Sequence, residues 1–230
     1  MTSKDDLKSF IELLRDAPST KGVFNPWWEE DHENDISDRA PGIRRRQLFH
    51  YILERKERAR HLVLAEAMGY QGGHFTGIPM TSERILLGKM EEKGISPGHV
   101  LTTVRPQRTS GPDVKPDGFS EPTATIVWGE LVKKEPRDYI LWNAFPWHPY
   151  NPAIGFLSNR PPASVELLTG IVPLRALLNL TRVKTVLTLG TAAKKLTDTM
   201  GIEANHFRHP ASGGAARFRE QFDRYISRVT

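Results

Sequence analysis

Four residues stand where an apolar run gives way to a loop: Glu66 closes "HLVLAE", Asn143 closes "DYILWN", Gly190 closes "VKTVLTLG" and His209 closes "EANHFRH". Three of them, a carboxylate, an amide and an imidazole, supply a proton acceptor, a paired donor and acceptor, and a ring that titrates near neutrality. Taken singly, each has a bland explanation. A glutamate ending a strand is commonly solvated, an asparagine before a turn commonly caps backbone, and a histidine before proline is commonly structural. Taken together they share an edge. In open parallel sheets ligands bind outside the carboxyl ends of the strands, where loops converge and helix N-termini point their free N–H groups.

That edge exists only if the chain folds as strands alternating with helices, and from residue 61 onward the pattern is of that kind. The spacing predicts strands over 61–66, 138–143, 183–190 and 203–209. Between them it predicts helices over 81–94, 121–134, 164–180 with a break near Pro173, 191–201 and 214–229. A glycine-rich loop, "AMGYQGGHFTGIPM", follows the first strand, and residues 105–120 read as a polar, mobile Pro/Gly loop. Ahead of the first strand lie an amphipathic helix over 4–16, with Leu7, Phe10, Ile11 and Leu14 on one face, and an irregular acidic segment over 19–41. A second helix follows over 42–60 with Leu48, Tyr51 and Ile52 inward and Arg44, Arg45 and Arg46 as a solvated basic face. The expected organisation is an N-terminal helical arm, 1–58, packed on the rim of one α/β domain, 59–230.

With 230 residues, 38% hydrophobic and 26% charged, the chain can bury one substantial core. A formal charge of +5 and a pI near 9.5 admit nucleic acid as a partner without requiring it. There is no cysteine, which excludes disulfides, thiolate metal sites, iron-sulfur clusters and cysteine nucleophiles. The first residues, "MTSKDDLKSFIELL", carry acids where a signal peptide needs a basic start, and no run approaches about 18 apolar residues. The expectation is a soluble, cytoplasmic, monomeric protein without cofactor or metal.

Four stretches in order carry a more specific message: "LAEAMGYQGGHFTGIPMTSERIL", "LWNAFPWHPYNP" with "NRPP" after it, "LTLGTAAKKL", and "FRHPASGGAARFRE". This series, over residues 60 to about 220, resembles the motifs of the uracil-DNA glycosylase superfamily, as a cysteine-free, bacterial-type branch without iron-sulfur cluster. The resemblance implies a three-layer α/β/α sandwich around a four-stranded parallel sheet. It also implies an enzyme of base excision repair that hydrolyses the N-glycosidic bond of a deaminated base in DNA, typically uracil, leaving an abasic site. The target must be flipped out of the duplex, at a cost of about a few kcal/mol, and read on its Watson–Crick edge in a pocket. Asn143 matches the asparagine that accepts from uracil N3–H and donates to O4, an order that cytosine reverses. His209 matches the histidine that donates to O2 as negative charge grows there.

The resemblance also implies a carboxylate near C1′ that stabilises the oxocarbenium-like sugar and activates water. Here the chain departs from its relatives. One branch reads Gly-Gln-Asp-Pro-Tyr, and its aspartate position is Ala67. The iron-sulfur branch reads Gly-Glu-Ala-Pro-Gly, which points to Glu66, although that branch needs four cysteines. A third branch shares the Gly-Gly and Thr-Gly of "YQGGHFTG" and has an acid just after, which makes Glu83 a second candidate. Met80 stands where relatives stack a phenylalanine on the base. Gly69 stands where one branch has the tyrosine that excludes thymine, leaving that task to a residue such as Tyr70.

By the same resemblance the loop of Ser212, Gly213 and Gly214 enters the DNA groove, with backbone N–H groups free to approach phosphate. Lys194, Arg208 and Arg217 lie along that edge, and Lys195 adjoins them. Two other readings stay open at this point. A noncatalytic nucleobase or single-stranded-DNA binder could keep the fold, and a glycosylase could take hypoxanthine or another deaminated base. A metal-hydrolase reading built on His148, His206 and His209 lacks any tight ligand spacing. The prolines at 146, 149 and 152 stiffen the loop after Asn143, whose aromatics are expected to wall the pocket.

Overall fold

The computed structural model describes residues 3–17 and 20–229. Met1, Thr2, Pro18, Ser19 and Thr230, at the ends of the expected arm, its irregular segment and the domain, lie outside the described residues. The strands are β1 (Val23–Phe24), β2 (His61–Ala67), β3 (Tyr139–Phe145), β4 (His148–Pro149), β5 (Thr185–Leu189) and β6 (Ala204–Phe207). The helices are α1 (Lys4–Arg15), α2 (Ala40–Leu53), α3 (Gly73–Thr76), α4 (Glu83–Leu86), α5 (Pro97–Val100), α6 (Pro122–Leu131), α7 (Ser164–Thr169), α8 (Ile171–Leu180), α9 (Thr191–Thr199) and α10 (Ala215–Val229).

Four strands form one parallel sheet in the order β3-β2-β5-β6, flanked by helices as a three-layer α/β/α sandwich. Strands β2, β3 and β5 are continuous apolar runs because both sheet faces are covered: Leu62, Val63, Leu64, Ile140, Leu141 and Leu187 are all buried. β3 is an edge strand. Its Leu141 N–H donates to the buried Tyr51 hydroxyl at 2.8 Å, so the α2 side chain closes a backbone position that would otherwise be unpaired.

The N-terminal segment shares this core. α1 opens with a capping box between Ser3 and Asp6, buries Leu7, Phe10, Ile11 and Leu14, and packs against α2 and α8. Trp27 stacks on Trp142 at 6.3 Å and donates its indole N–H to the Gly77 carbonyl. Burial of each such side chain contributes roughly 1.5–3 kcal/mol. β1 pairs antiparallel with β4, setting Val23 opposite Pro149 and Phe24 opposite His148. Residues 148–149 are therefore held by the N-terminal segment as well as by their own prolines.

Several elements differ from the sequence expectation. The helix expected over 42–60 begins at Ala40, with Pro41 in the first turn where its missing N–H is harmless, and ends at Leu53. Its supposed solvated face is partly interior: Arg44 is fully buried, forked onto Asp35 at 2.8 and 2.9 Å, and donates to the Pro26, Glu29 and His74 carbonyls. The helix over 81–94 stops at Leu86, and Gly88 takes a left-handed φ of 73°. The break expected near Pro173 falls at Gly170, where a Cβ would lie 1.7 Å from the Ala144 carbonyl oxygen; Pro173 sits in the first turn of α8. The loop over 105–120, expected to be mobile, is tied down by Glu83 and Arg108. No helix among the described residues is long and apolar enough to cross a membrane.

Candidate active site

A cavity of about 530 Å³, open at its mouth, sits at the carboxyl edge of the sheet. Its walls come from the end of β2 (Ala65, Glu66, Ala67), the loop after it (Met68, Gly69, Met80), the start of α6 (Glu121, Thr123), the segment 159–161, and the loop after β6 (His209, Ala211, Ser212). Three of the four strand-end loops singled out in the sequence thus converge, directly or through backing residues. β5 contributes at second hand: Gly190, at a φ of 83°, lies so close to His209 that a Cβ would meet the His209 Cβ at 3.3 Å.

The backbone around this cavity is strained. Among the described residues only two other than glycine have a positive φ, Met80 at 48° and Ser212 at 53°, and both line it. Such conformations cost about 1–3 kcal/mol each and persist only where the surroundings over-determine them. At Met80 the clamp is visible: the buried Trp128 indole N–H donates to its carbonyl at 3.1 Å. At Ser212 the turn is followed by Gly213 at a φ of 76° and by Gly214, where a Cβ would lie 2.0 Å from the His209 carbonyl oxygen.

Glu66 and His209 face the same cavity. Burial raises the Glu66 carboxyl above the ordinary carboxylate range, with no cation beside it. His209 Nδ1 accepts from the Ala211 N–H at 3.1 Å, which fixes the neutral ring with its proton on Nε2. Burial, aided by the neighbouring Arg208, lowers its pKa and keeps the ring neutral at pH 7. The loop itself thus selects the tautomer that donates from Nε2.

Asn143 lies one layer behind the wall. It is buried on β3 opposite Ala65, and its amide fits the surrounding groups with Oδ1 accepting from the Met68 N–H at 3.0 Å and Nδ2 donating to the Trp142 carbonyl at 3.3 Å. Each polar atom keeps one further bond to offer, an acceptor lone pair and a donor hydrogen. Gly69 and Ala67 line the cavity; Tyr70 does not, its ring meeting Phe119 edge to face at 6.1 Å.

Glu83, the second candidate acid, is elsewhere. It is buried, accepts from the Thr109 and Ser110 N–H groups at 2.9 and 3.0 Å, and binds the Ser110 hydroxyl and the Phe119 N–H. This carboxylate fastens the 105–120 loop, which the sequence marks as mobile, and Arg108 adds bonds to the Ser110, Lys115 and Pro116 carbonyls. The aromatics after Asn143 are also displaced from expectation. Phe145 and Trp147 line a separate apolar cavity of about 290 Å³ with Val23 and Val165. The three histidines go to three places: His209 to the cavity, His206 to the Thr188 hydroxyl, and His148 into a buried chain with His74 and Asp31. Among the described residues no group of three or more His, Asp or Glu is placed to hold a metal.

Of the residues expected to meet DNA, Ser212, Gly213, Lys194, Arg208 and Arg217 are exposed; Gly214 is buried, and its N–H is not free for phosphate because it donates to the Ala211 carbonyl at 3.1 Å. Lys194 is paired with Asp198 on α9, Arg217 with Glu220 on α10, and Arg208 reaches the Ser212 carbonyl. Exposed pairs of this kind are worth about 0–1 kcal/mol, so each cation can exchange its partner for a phosphate at little cost. Several wall residues escaped the sequence reading, among them Asn159, Glu121 and Arg160, whose guanidinium is paired with Glu166 at 2.7 Å. Asn159 accepts from the Tyr70 N–H at 3.1 Å and so ties the 159–161 segment to the first motif loop. Glu121 precedes Pro122 at the start of α6 and, by local pattern, is only a helix-flanking acid.

No protein-family model matches the chain, and no curated protein matches it. Among solved structures it is similar to the crystal structure of wild-type SMUG2 from Pedobacter heparinus, with a TM-score of 0.62 and 19% sequence identity over 100% of this chain and 97% of that one. At this identity the likeness establishes the fold.

Proposed function

We propose that the protein is a uracil-DNA glycosylase-like enzyme, hydrolysing the N-glycosidic bond of a flipped deaminated base, with uracil the first substrate. The observation that carries this reading is the meeting of Glu66 and a neutral, Nε2-protonated His209 in one cavity whose walls hold both strained residues, Met80 and Ser212. The motif order and the fold shared with SMUG2 support it. In this reading His209 donates to the base oxygen on which charge accumulates, and Glu66 stabilises the sugar cation and takes a proton from the attacking water. Asn143, behind the wall, reads the base edge with its spare acceptor and donor.

A panel of oligonucleotides carrying uracil, hypoxanthine or xanthine, single- and double-stranded, tests the assignment. Wild type is expected to release free uracil. Glu66→Gln is expected to slow release by about 10²- to 10⁴-fold, the usual worth of a general base. Glu83→Gln is expected to keep the rate within a few-fold and to show its effect in proteolysis of the 105–120 loop. Asn143→Ala is expected to lose most activity together with discrimination against cytosine. Equal loss in the two glutamate variants, or wild-type rates in both, would refute the division of roles.

A further inference from the structure

Among the described wall residues, Glu121 carries a carboxyl oxygen that is closed off from solvent and that nothing nearby answers. Its side chain makes no cap to α6, the helix it precedes, although a carboxylate there would gain from the free N–H groups and the dipole. It turns instead into the cavity shared with Glu66 and His209. Its Oε2 is sealed from solvent without a hydrogen-bond partner and lies against Gly72, where a Cβ would stand 1.9 Å away. Residue 72 must therefore be glycine for the carboxyl to lie where it does.

Glu121 as a whole is half-buried, but a carboxylate oxygen sealed with no cation and no donor is costly to charge, which favours the protonated form. Burial raises its pKa to about 7. Glu66, at the same cavity, is also half-buried but has no carboxyl oxygen sealed in this way. When two carboxyls of one site have environments that separate their protonation, the more sealed one serves as acid and the other as base.

We propose that Glu121 is a catalytic general acid that protonates the departing base, while Glu66 works as the carboxylate. The inference rests on the glycosylase reading above and extends it. As the C1′–N bond breaks, its electron pair stays on the base, and the Glu121 proton moves to an oxygen or ring nitrogen of that base. A water oxygen bonds to C1′ and gives its proton to Glu66. The products are the neutral base, the C1′ hydroxyl of an abasic sugar, ionised Glu121 and protonated Glu66; solvent restores both carboxyls. The class of substrate favoured is a base that leaves poorly as an anion, and a base that leaves readily needs the acid less.

The test compares wild type with Glu121→Gln in single-turnover release of uracil and of 5-fluorouracil, a better leaving group, between pH 5 and pH 9. The acid form is the working one, so the wild-type rate on uracil should fall as pH rises through about 7. In Glu121→Gln that limb should vanish, the uracil rate at pH 6 should drop by about 10²-fold or more, and the 5-fluorouracil rate should drop far less. Carboxyl ¹³C NMR of the whole protein should show one resonance titrating near neutrality that is missing from the variant. Parallel pH profiles, an equal loss on both bases, or no such resonance would overturn the acid role while leaving the glycosylase reading intact. Failure of wild type to release either base would overturn the glycosylase reading and the acid role with it.

Discussion

His209→Ala is expected to lower the single-turnover rate of uracil release by about 10²- to 10³-fold, the cost typical of removing one preorganised donor to a developing anion. DNA affinity should change by less than about three-fold. The split follows from the geometry. The ring is set by a single backbone contact, Ala211 N–H to Nδ1, and by the close approach of Gly190, so its Nε2–H is directed before substrate arrives. Phosphate contacts are expected from Lys194, Arg208 and Arg217, none of which depends on the imidazole. His209→Asn, which keeps a donor, should recover part of the rate. A loss that appeared in affinity instead of rate would move His209 from chemistry to DNA binding.

Arg44→Ala carries the largest expected effect on stability, about 3–5 kcal/mol, measured as a shift of the urea midpoint. That is a large share of the roughly 5–15 kcal/mol available to a folded domain. The guanidinium is fully buried and binds Asp35 in a fork and three carbonyls, two from the 26–29 turn and one from His74. Its removal strands Asp35, whose carboxyl burial already raises. Without the cation Asp35 takes up a proton more readily, so the destabilisation should be greatest near pH 8 and shrink toward pH 5. Arg44→Lys keeps the charge and loses the fork, and should recover only part of the loss. A midpoint unchanged by Arg44→Ala would mean that this buried junction contributes little to stability.

What could be read from the sequence followed from how local each signal was. The parallel sheet was legible because both-face burial makes uninterrupted apolar runs, and strand ends are marked by Gly190 and by the residues before loops. That Glu66 and His209 line one cavity was legible because they stand at strand ends and the cavity forms there. Arg44 was not, since one arginine in a run of three looks like its neighbours until tertiary packing selects it. Glu83 and Glu121 have similar local settings, each an acid at the start of a helix. Only the fold decides that one is saturated by loop N–H groups and the other faces the cavity without a partner. The break at Gly170 was displaced by three residues from Pro173 because a strand carbonyl, remote in sequence, leaves no space for a Cβ.

The most direct test of the central claim is release of free uracil under single-turnover conditions from a uracil-containing oligonucleotide, with the abasic site scored by alkaline cleavage. Wild type should release one uracil per abasic site formed, and His209→Ala should do so about 10²- to 10³-fold more slowly at equal DNA occupancy. Stable binding of the same DNA with no uracil released by wild type would contradict the account.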